Sequence, residues 1–122
     1  MKNAMLLLED DLTARDLLLR VINSALSGME HNVYIAENGN EASNIIKHHG
    51  EKIVLFTTDV IHPGTDTLEL IKEAKNKNSQ IKIILLTGSV AVDKEYDSLV
   101  DFTLTKPFSN ESLSEFIHSI FF

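Results

Sequence analysis

Apolar residues in this chain fall into two alternating kinds of segment. Short runs, mostly unbroken, come first: Met5-Leu6-Leu7-Leu8, Val33-Tyr34-Ile35-Ala36, Ile53-Val54-Leu55-Phe56, Ile81 to Leu86, and Phe102 to Thr105. Each is the length of a strand, and most lack the polar alternation of a half-exposed one. Between them lie stretches with helical spacing. Leu18, Val21, Ile22 and Ala25 recur at i, i+3, i+4 and i+7, the apolar stripe of an amphipathic helix. Thr13 with Asp16 resembles a capping box at its start, and Gly28 falls where it should end. A second helix is predicted after the Asn38-Gly39 turn from Ala42, Ile45 and Ile46, and a third after Pro63-Gly64 from Leu68, Ile71 and Ala74. Ser89 to Leu99 is weakly patterned and reads as a short fourth helix; Leu113, Phe116, Ile117 and Ile120 mark a fifth.

Five strands alternating with five helices predict an α/β doubly wound sandwich, a parallel sheet with helices hiding both faces. There is no internal repeat, low-complexity tract or linker, so residues 1–122 read as one domain. In such folds ligands bind beyond the carboxyl ends of the strands. The residues at those five ends therefore become the candidates for chemistry.

Composition narrows the classes. With 43% hydrophobic and 24% charged residues the 122-residue chain has the balance of a folded protein. It has no cysteine, which excludes disulfides, thiolate metal sites and cysteine nucleophiles and fits a reducing compartment. Eleven basic against 18 acidic residues leave a formal charge of -7, which argues against nucleic acid or anionic membrane as a general partner. No apolar run approaches the roughly 20 residues of a membrane span, and Met1-Lys2 leads directly into a short apolar run and then acids, so neither a span nor a signal peptide is expected. The expected location is cytoplasmic.

The strand ends carry complementary chemistry. Strand one ends in Glu9-Asp10-Asp11, strand three in Asp59, strand four in Thr87, and strand five in Lys106. Alone, each has an ordinary explanation: a helix N-terminal acid, a loop acid, a strand-end hydroxyl, a solvated lysine. If strands one and three are neighbours, however, several carboxylates gather. Two like charges 4 Å apart cost about 4 kcal/mol at an effective dielectric of 20. A hard divalent cation with few protein carboxylates and several waters, as Mg²⁺ prefers, removes that cost.

These residues carry a family resemblance. Leu7-Leu8-Glu9-Asp10-Asp11, Thr58-Asp59 followed by Pro63-Gly64, Leu85-Leu86-Thr87-Gly88-Ser89, and Thr105-Lys106-Pro107-Phe108, in that order, resemble the receiver domain of bacterial two-component response regulators over essentially the whole length. The resemblance implies a flavodoxin-like sheet of order 2-1-3-4-5. It implies that Asp59 is the phosphoacceptor for a sensor histidine kinase or histidine phosphotransfer protein. It also implies that Glu9, Asp10, Asp59 and the backbone carbonyl of Ile61 hold Mg²⁺, with Mn²⁺ as the alternative, Asp10 directly and Glu9 through water. Lys106 would pair with a phosphoryl oxygen, Thr87 would move to bond another, and Gly88 would leave room for the donor. A downstream protein would dock on the face of the fourth helix, fifth strand and fifth helix. No substrate beyond its own phosphorylation and dephosphorylation is implied.

Some positions depart from that pattern. Where the family generally has Asp-Gly after the proline, this chain has Asp66-Thr67, and His62 replaces a common methionine. The inward-turning aromatic expected three residues before Lys106 is Thr103, and Phe102 beside it is expected to point into the core. The stretch from Thr87 to Lys106 is short. A flavodoxin would want a phosphate-binding loop where Glu9-Asp10-Asp11 would repel the anion, and an aspartate-nucleophile phosphatase would want an Asp-x-Asp pair. The rival that stays open is a receiver-like interaction module that signals without phosphorylation.

Overall fold

In the computed structural model, residues 3–59, 66–88, 94–106 and 108–122 are described. Five parallel strands form one sheet: β1 (Asn3–Leu8), β2 (His31–Ala36), β3 (Ile53–Asp59), β4 (Lys82–Thr87) and β5 (Phe102–Thr105), in the order β2-β1-β3-β4-β5. Leu8 pairs with Ala36 on one side and Thr58 on the other, and Asp59 with Leu86, so the ends of β1, β3 and β4 finish side by side. The helices are α1 (Leu12–Ala25), α2 (Gly39–His49), α3 (Thr67–Lys77) and α4 (Asn110–Phe121).

Because β1, β3 and β4 are covered on both faces, their side chains alternate between two cores. Leu6, Leu8, Phe56, Ile83 and Leu85 pack with Ala42 and Ile46 of α2 and Ile71 and Ala74 of α3. Met5, Leu7, Leu55, Ile84 and Leu86 pack with Leu18 and Ile22 of α1 and Leu113 and Ile117 of α4. Each fully buried leucine, isoleucine or phenylalanine contributes about 1.5–3 kcal/mol of transfer free energy. β2 lies at the edge, and its residues before Ala36 are accordingly half-exposed or, at Asn32 and Ile35, exposed.

Three details correct the sequence-based reading. Asp11, not Thr13, caps α1: its carboxylate accepts from the Thr13 N–H at 3.2 Å, and the helix starts at Leu12. Two cap-competent residues lie two apart, and the earlier one sits where β1 releases the chain. In α3 the buried stripe is Thr67, Leu70, Ile71 and Ala74, with Leu68 at its margin. Finally, four α-helices rather than five are present among the described residues. The expected short helix over Ser89 to Leu99 is there a 3₁₀ turn at Lys94–Tyr96; its residues 89–93 lie outside the described residues. That turn is followed by half-buried Leu99 and Val100, which pack on the α3-side core without a continuous helical stripe.

Gly28, just past α1, adopts φ +87°, a left-handed conformation that favours glycine. Phe102 is half-buried against the α1–α4 core and stacks on Phe116 at 4.5 Å, while Thr103 is exposed. Ile120 and Phe121 dock on the same core and Phe122 is 73% exposed. No described helix is long and apolar enough to cross a membrane.

Candidate functional site

The parallel topology gathers the strand ends at one edge. Glu9 follows β1 directly, anchored by its N–H to the Ala36 carbonyl at 3.1 Å. Asp59 ends β3, Thr87 ends β4, and Lys106 follows β5, its N–H donating to the Thr87 carbonyl at 2.7 Å. Asp10 stands exposed between Glu9 and the α1 cap. Glu9, Asp10 and Asp59 each bring a carboxylate oxygen within 4.8 Å of the others.

Burial distinguishes these acids. Glu9 is 2% exposed and Asp59 also buried, whereas Asp10 faces solvent. Lys106 Nζ lies 2.7 Å from Asp59 Oδ1, a charge-assisted hydrogen bond, and 3.7 Å from Glu9 Oε1, an ion-pair distance beyond hydrogen bonding. Glu9 Oε2 accepts from the Asp11 N–H at 3.2 Å, but buried Oε1 has no hydrogen-bond partner among the described residues.

The electrostatics follow. Burial raises the Glu9 carboxyl from 4.5 to about 7; the Asp11 N–H opposes the rise, Asp59 adds to it, and Lys106 offsets part of it. For Lys106, burial lowers the ammonium pKa, but the bond to Asp59 and the charges of both acids outweigh burial. It ends above the usual lysine value. One lysine thus serves two buried carboxylates, and one carboxylate oxygen is left over. That orphaned oxygen and the all-oxygen donor set fit a hard divalent cation. Carboxylates from β1 and β3 would hold it.

The structure brings together Glu9, Asp10, Asp59 and Lys106, with Thr87 buried one strand over and bonded through its carbonyl to Lys106. Ile61, the expected carbonyl ligand, and His62 lie outside the described residues. Among the described residues, nothing lies within 4 Å of where a Cβ at Gly88 would stand. Two residues escaped the sequence reading: Thr58, fully buried, and Thr67, 2% exposed, both of which donate hydroxyl hydrogen bonds to the Asp59 carbonyl. Only the Thr67 departure from Asp-Gly could have signalled the second.

The response regulator receiver domain family matches residues 5–118. Among solved structures, the chain is similar to a CheY-like response regulator receiver domain from Methylobacillus flagellatus, at 22% identity and a TM-score of 0.81, covering 98% of this chain and 99% of that one. The chemotaxis response regulator CheY4 of Vibrio cholerae gives 21% and 0.80 over 98% and 99% of the two chains. The response regulator TrrA of Thermotoga maritima, solved in complex with Mg²⁺-BeF, gives 28% and 0.79, again over 98% and 99%.

Proposed function

The chain belongs to the response regulator receiver domain family, and from that premise we propose that Asp59 accepts a phosphoryl group from the phosphohistidine of a sensor histidine kinase or a histidine phosphotransfer protein. The observation that carries this reading is Lys106 Nζ 2.7 Å from Asp59 Oδ1 beside two further carboxylates at the open end of the sheet. In the transfer an Asp59 carboxylate oxygen attacks phosphorus and forms the O–P bond. The P–N bond to the donor imidazole breaks, and its electron pair returns to the ring nitrogen.

The chain's own residues position and neutralise. Lys106, now bonded to the acceptor carboxylate, is placed to follow a phosphoryl oxygen as charge develops there. The Thr87 hydroxyl takes a second oxygen, and Gly88 admits the donor. Glu9, Asp10, Asp59 and the Ile61 carbonyl would hold Mg²⁺ or Mn²⁺, which when bound would supply charge neutralisation for the transferred group. Mg²⁺-BeF bound to the Thermotoga relative supports this assignment. Residues 1–122 act as one receiver domain, and β5 with α4, where Phe102 and Phe116 stack, offers the face for a downstream protein.

The test is Mg²⁺-dependent uptake of phosphate from a small acyl phosphate. The wild type should label and Asp59→Asn should not. An unlabelled wild type at saturating Mg²⁺ would leave the non-phosphorylated interaction module as the better reading.

A further inference from the structure

The carbonyl oxygen of Asp59 accepts two side-chain hydroxyls. Thr58 Oγ1 donates from the same strand at 3.1 Å, and Thr67 Oγ1 donates from eight residues away at 3.3 Å. Thr67 opens α3, directly after Asp66, whose carboxylate caps the helix by accepting the Glu69 N–H at 3.2 Å. The cap fixes where the helix begins, and so where the Thr67 side chain stands. At 2% exposure Thr67 is buried as deeply as many core residues.

A polar side chain this buried costs stability unless its hydroxyl is bonded, and packing alone would be met equally by valine, which has nearly the same shape. Glycine is usual here in the pattern that this chain otherwise resembles, and it has no side chain to make the bond. The hydroxyl thus adds something packing does not need. Holding the Asp59 carbonyl fixes rotation about the Asp59 Cα–C bond, and with it the frame from which the Asp59 side chain reaches Lys106. Because the bond joins the end of β3 to the start of α3, it also ties the helix to the strand that carries the acceptor.

We infer that Thr67 is a positioning residue for phosphoryl acceptance, its hydroxyl clasping the Asp59 backbone so that the carboxylate is held for in-line attack. The inference rests on Asp59 being the phosphoacceptor. Thr67 acts through Asp59 and does not touch the phosphoryl group. A bond of 3.3 Å is long for a hydroxyl donor, so the effect is moderate.

The experiment compares Thr67→Val, Thr67→Ser and wild type in Mg²⁺-saturated labelling by a small acyl phosphate, with rates taken per folded molecule and thermal midpoints measured alongside. NMR of the Asp59 carbonyl carbon in the metal-free proteins reports the clasp itself. Thr67→Val should slow labelling about three- to fivefold, the rate equivalent of one weak hydrogen bond, and shift the Asp59 carbonyl resonance. Thr67→Ser should restore both within about twofold. A Thr67→Val protein that labels like wild type, or a serine variant as slow as the valine one, overturns the clasp while leaving the phosphoacceptor reading intact. A role confined to stability would lower the thermal midpoint and leave the rate per folded molecule unchanged, which also overturns it. Failure of the wild type to label overturns the phosphoacceptor reading, and the role of Thr67 falls with it.

Discussion

The two ends of the sheet use charge in opposite ways. At the amino end, where α2 and α3 finish, Lys47, His48, Lys52 and Lys77 are exposed. There they complement the negative ends of two helix dipoles. His48 donates through Nδ1 to the Asn44 carbonyl at 2.7 Å, and Asn78 donates to the Ile53 carbonyl at 2.8 Å. At the carboxyl end Glu9 and Asp59 are buried with one lysine between them, and Glu9 Oε1 has no hydrogen-bond partner among the described residues. Polar groups stabilise the fold at one end. At the other, buried acids outnumber the one lysine beside them, an imbalance that a ligand bringing positive charge would relieve.

The sharpest way to expose that contrast is to remove the tension. Glu9 carries a raised pKa, so its contribution to stability is complete below pH 4.5, where it is protonated in both folded and unfolded chains, and is lost as pH climbs through about 7. The total loss amounts to about 3 kcal/mol. Metal-free wild type should therefore unfold more easily at pH 8 than at pH 5 as far as this group is concerned. Glu9→Gln should flatten that slope and exceed wild type at pH 8 by up to the same amount, read by urea melts at both pH values. Saturating Mg²⁺ should narrow the gap. A steeper slope in Glu9→Gln would contradict this picture.

Damage at the amino end should be structural instead. A Cβ at Gly50 would meet Lys77 Cβ at 2.6 Å, at the root of that side chain where it cannot swing aside. Gly50→Ala should cost about 1–3 kcal/mol by overpacking, while the labelling rate per folded molecule stays within twofold of wild type. Next in size is Asp10→Ala. Losing the exposed member of the carboxylate group should weaken Mg²⁺ about tenfold, or about 1.4 kcal/mol, in a fluorescence or NMR titration; unchanged affinity would remove Asp10 from the site. The smallest effect is expected from Asp11→Ala, which deletes the α1 cap for about 1 kcal/mol of stability in a thermal melt.

The residues that were easy and hard to read divide along physical lines. Strands such as Met5–Leu8 and Ile83–Leu86 were legible because burial on both faces leaves no polar interruption, and their order made the ends of β1 and β3 neighbours. Glu9, Asp10, Asp59 and Lys106 could be picked out because complementary charges stood at successive strand ends. What could not be read was depth. Glu9 and Asp10 are adjacent acids, yet one is buried and the other exposed, since the chain turns between the end of β1 and the cap at Asp11. The start of α1 was misplaced because Asp11 and Thr13 offer equal local cap signals, and tertiary context chose between them. Around Lys94–Tyr96 no apolar period existed to indicate a 3₁₀ turn. The Thr58 hydroxyl gave no pattern, because a buried threonine looks in sequence like any strand residue, and Thr67 showed only as a departure from Asp-Gly.

The backbone bond from Lys106 to the Thr87 carbonyl has a consequence for how such a chain can change length. Together with the Asp101 N–H bonded to the Ile83 carbonyl at 3.0 Å, it zips β4 to β5 on both sides of the Phe102–Thr105 strand. The connection from Thr87 to Phe102 is thus pinned to the sheet at both of its ends. Loop-closure entropy grows only logarithmically, about 0.6 kcal/mol for each doubling of length. Insertions or deletions there leave Thr87 and Lys106 in place while redrawing the neighbouring surface. A connection anchored in this way tolerates a change of length without moving the chemistry beneath it.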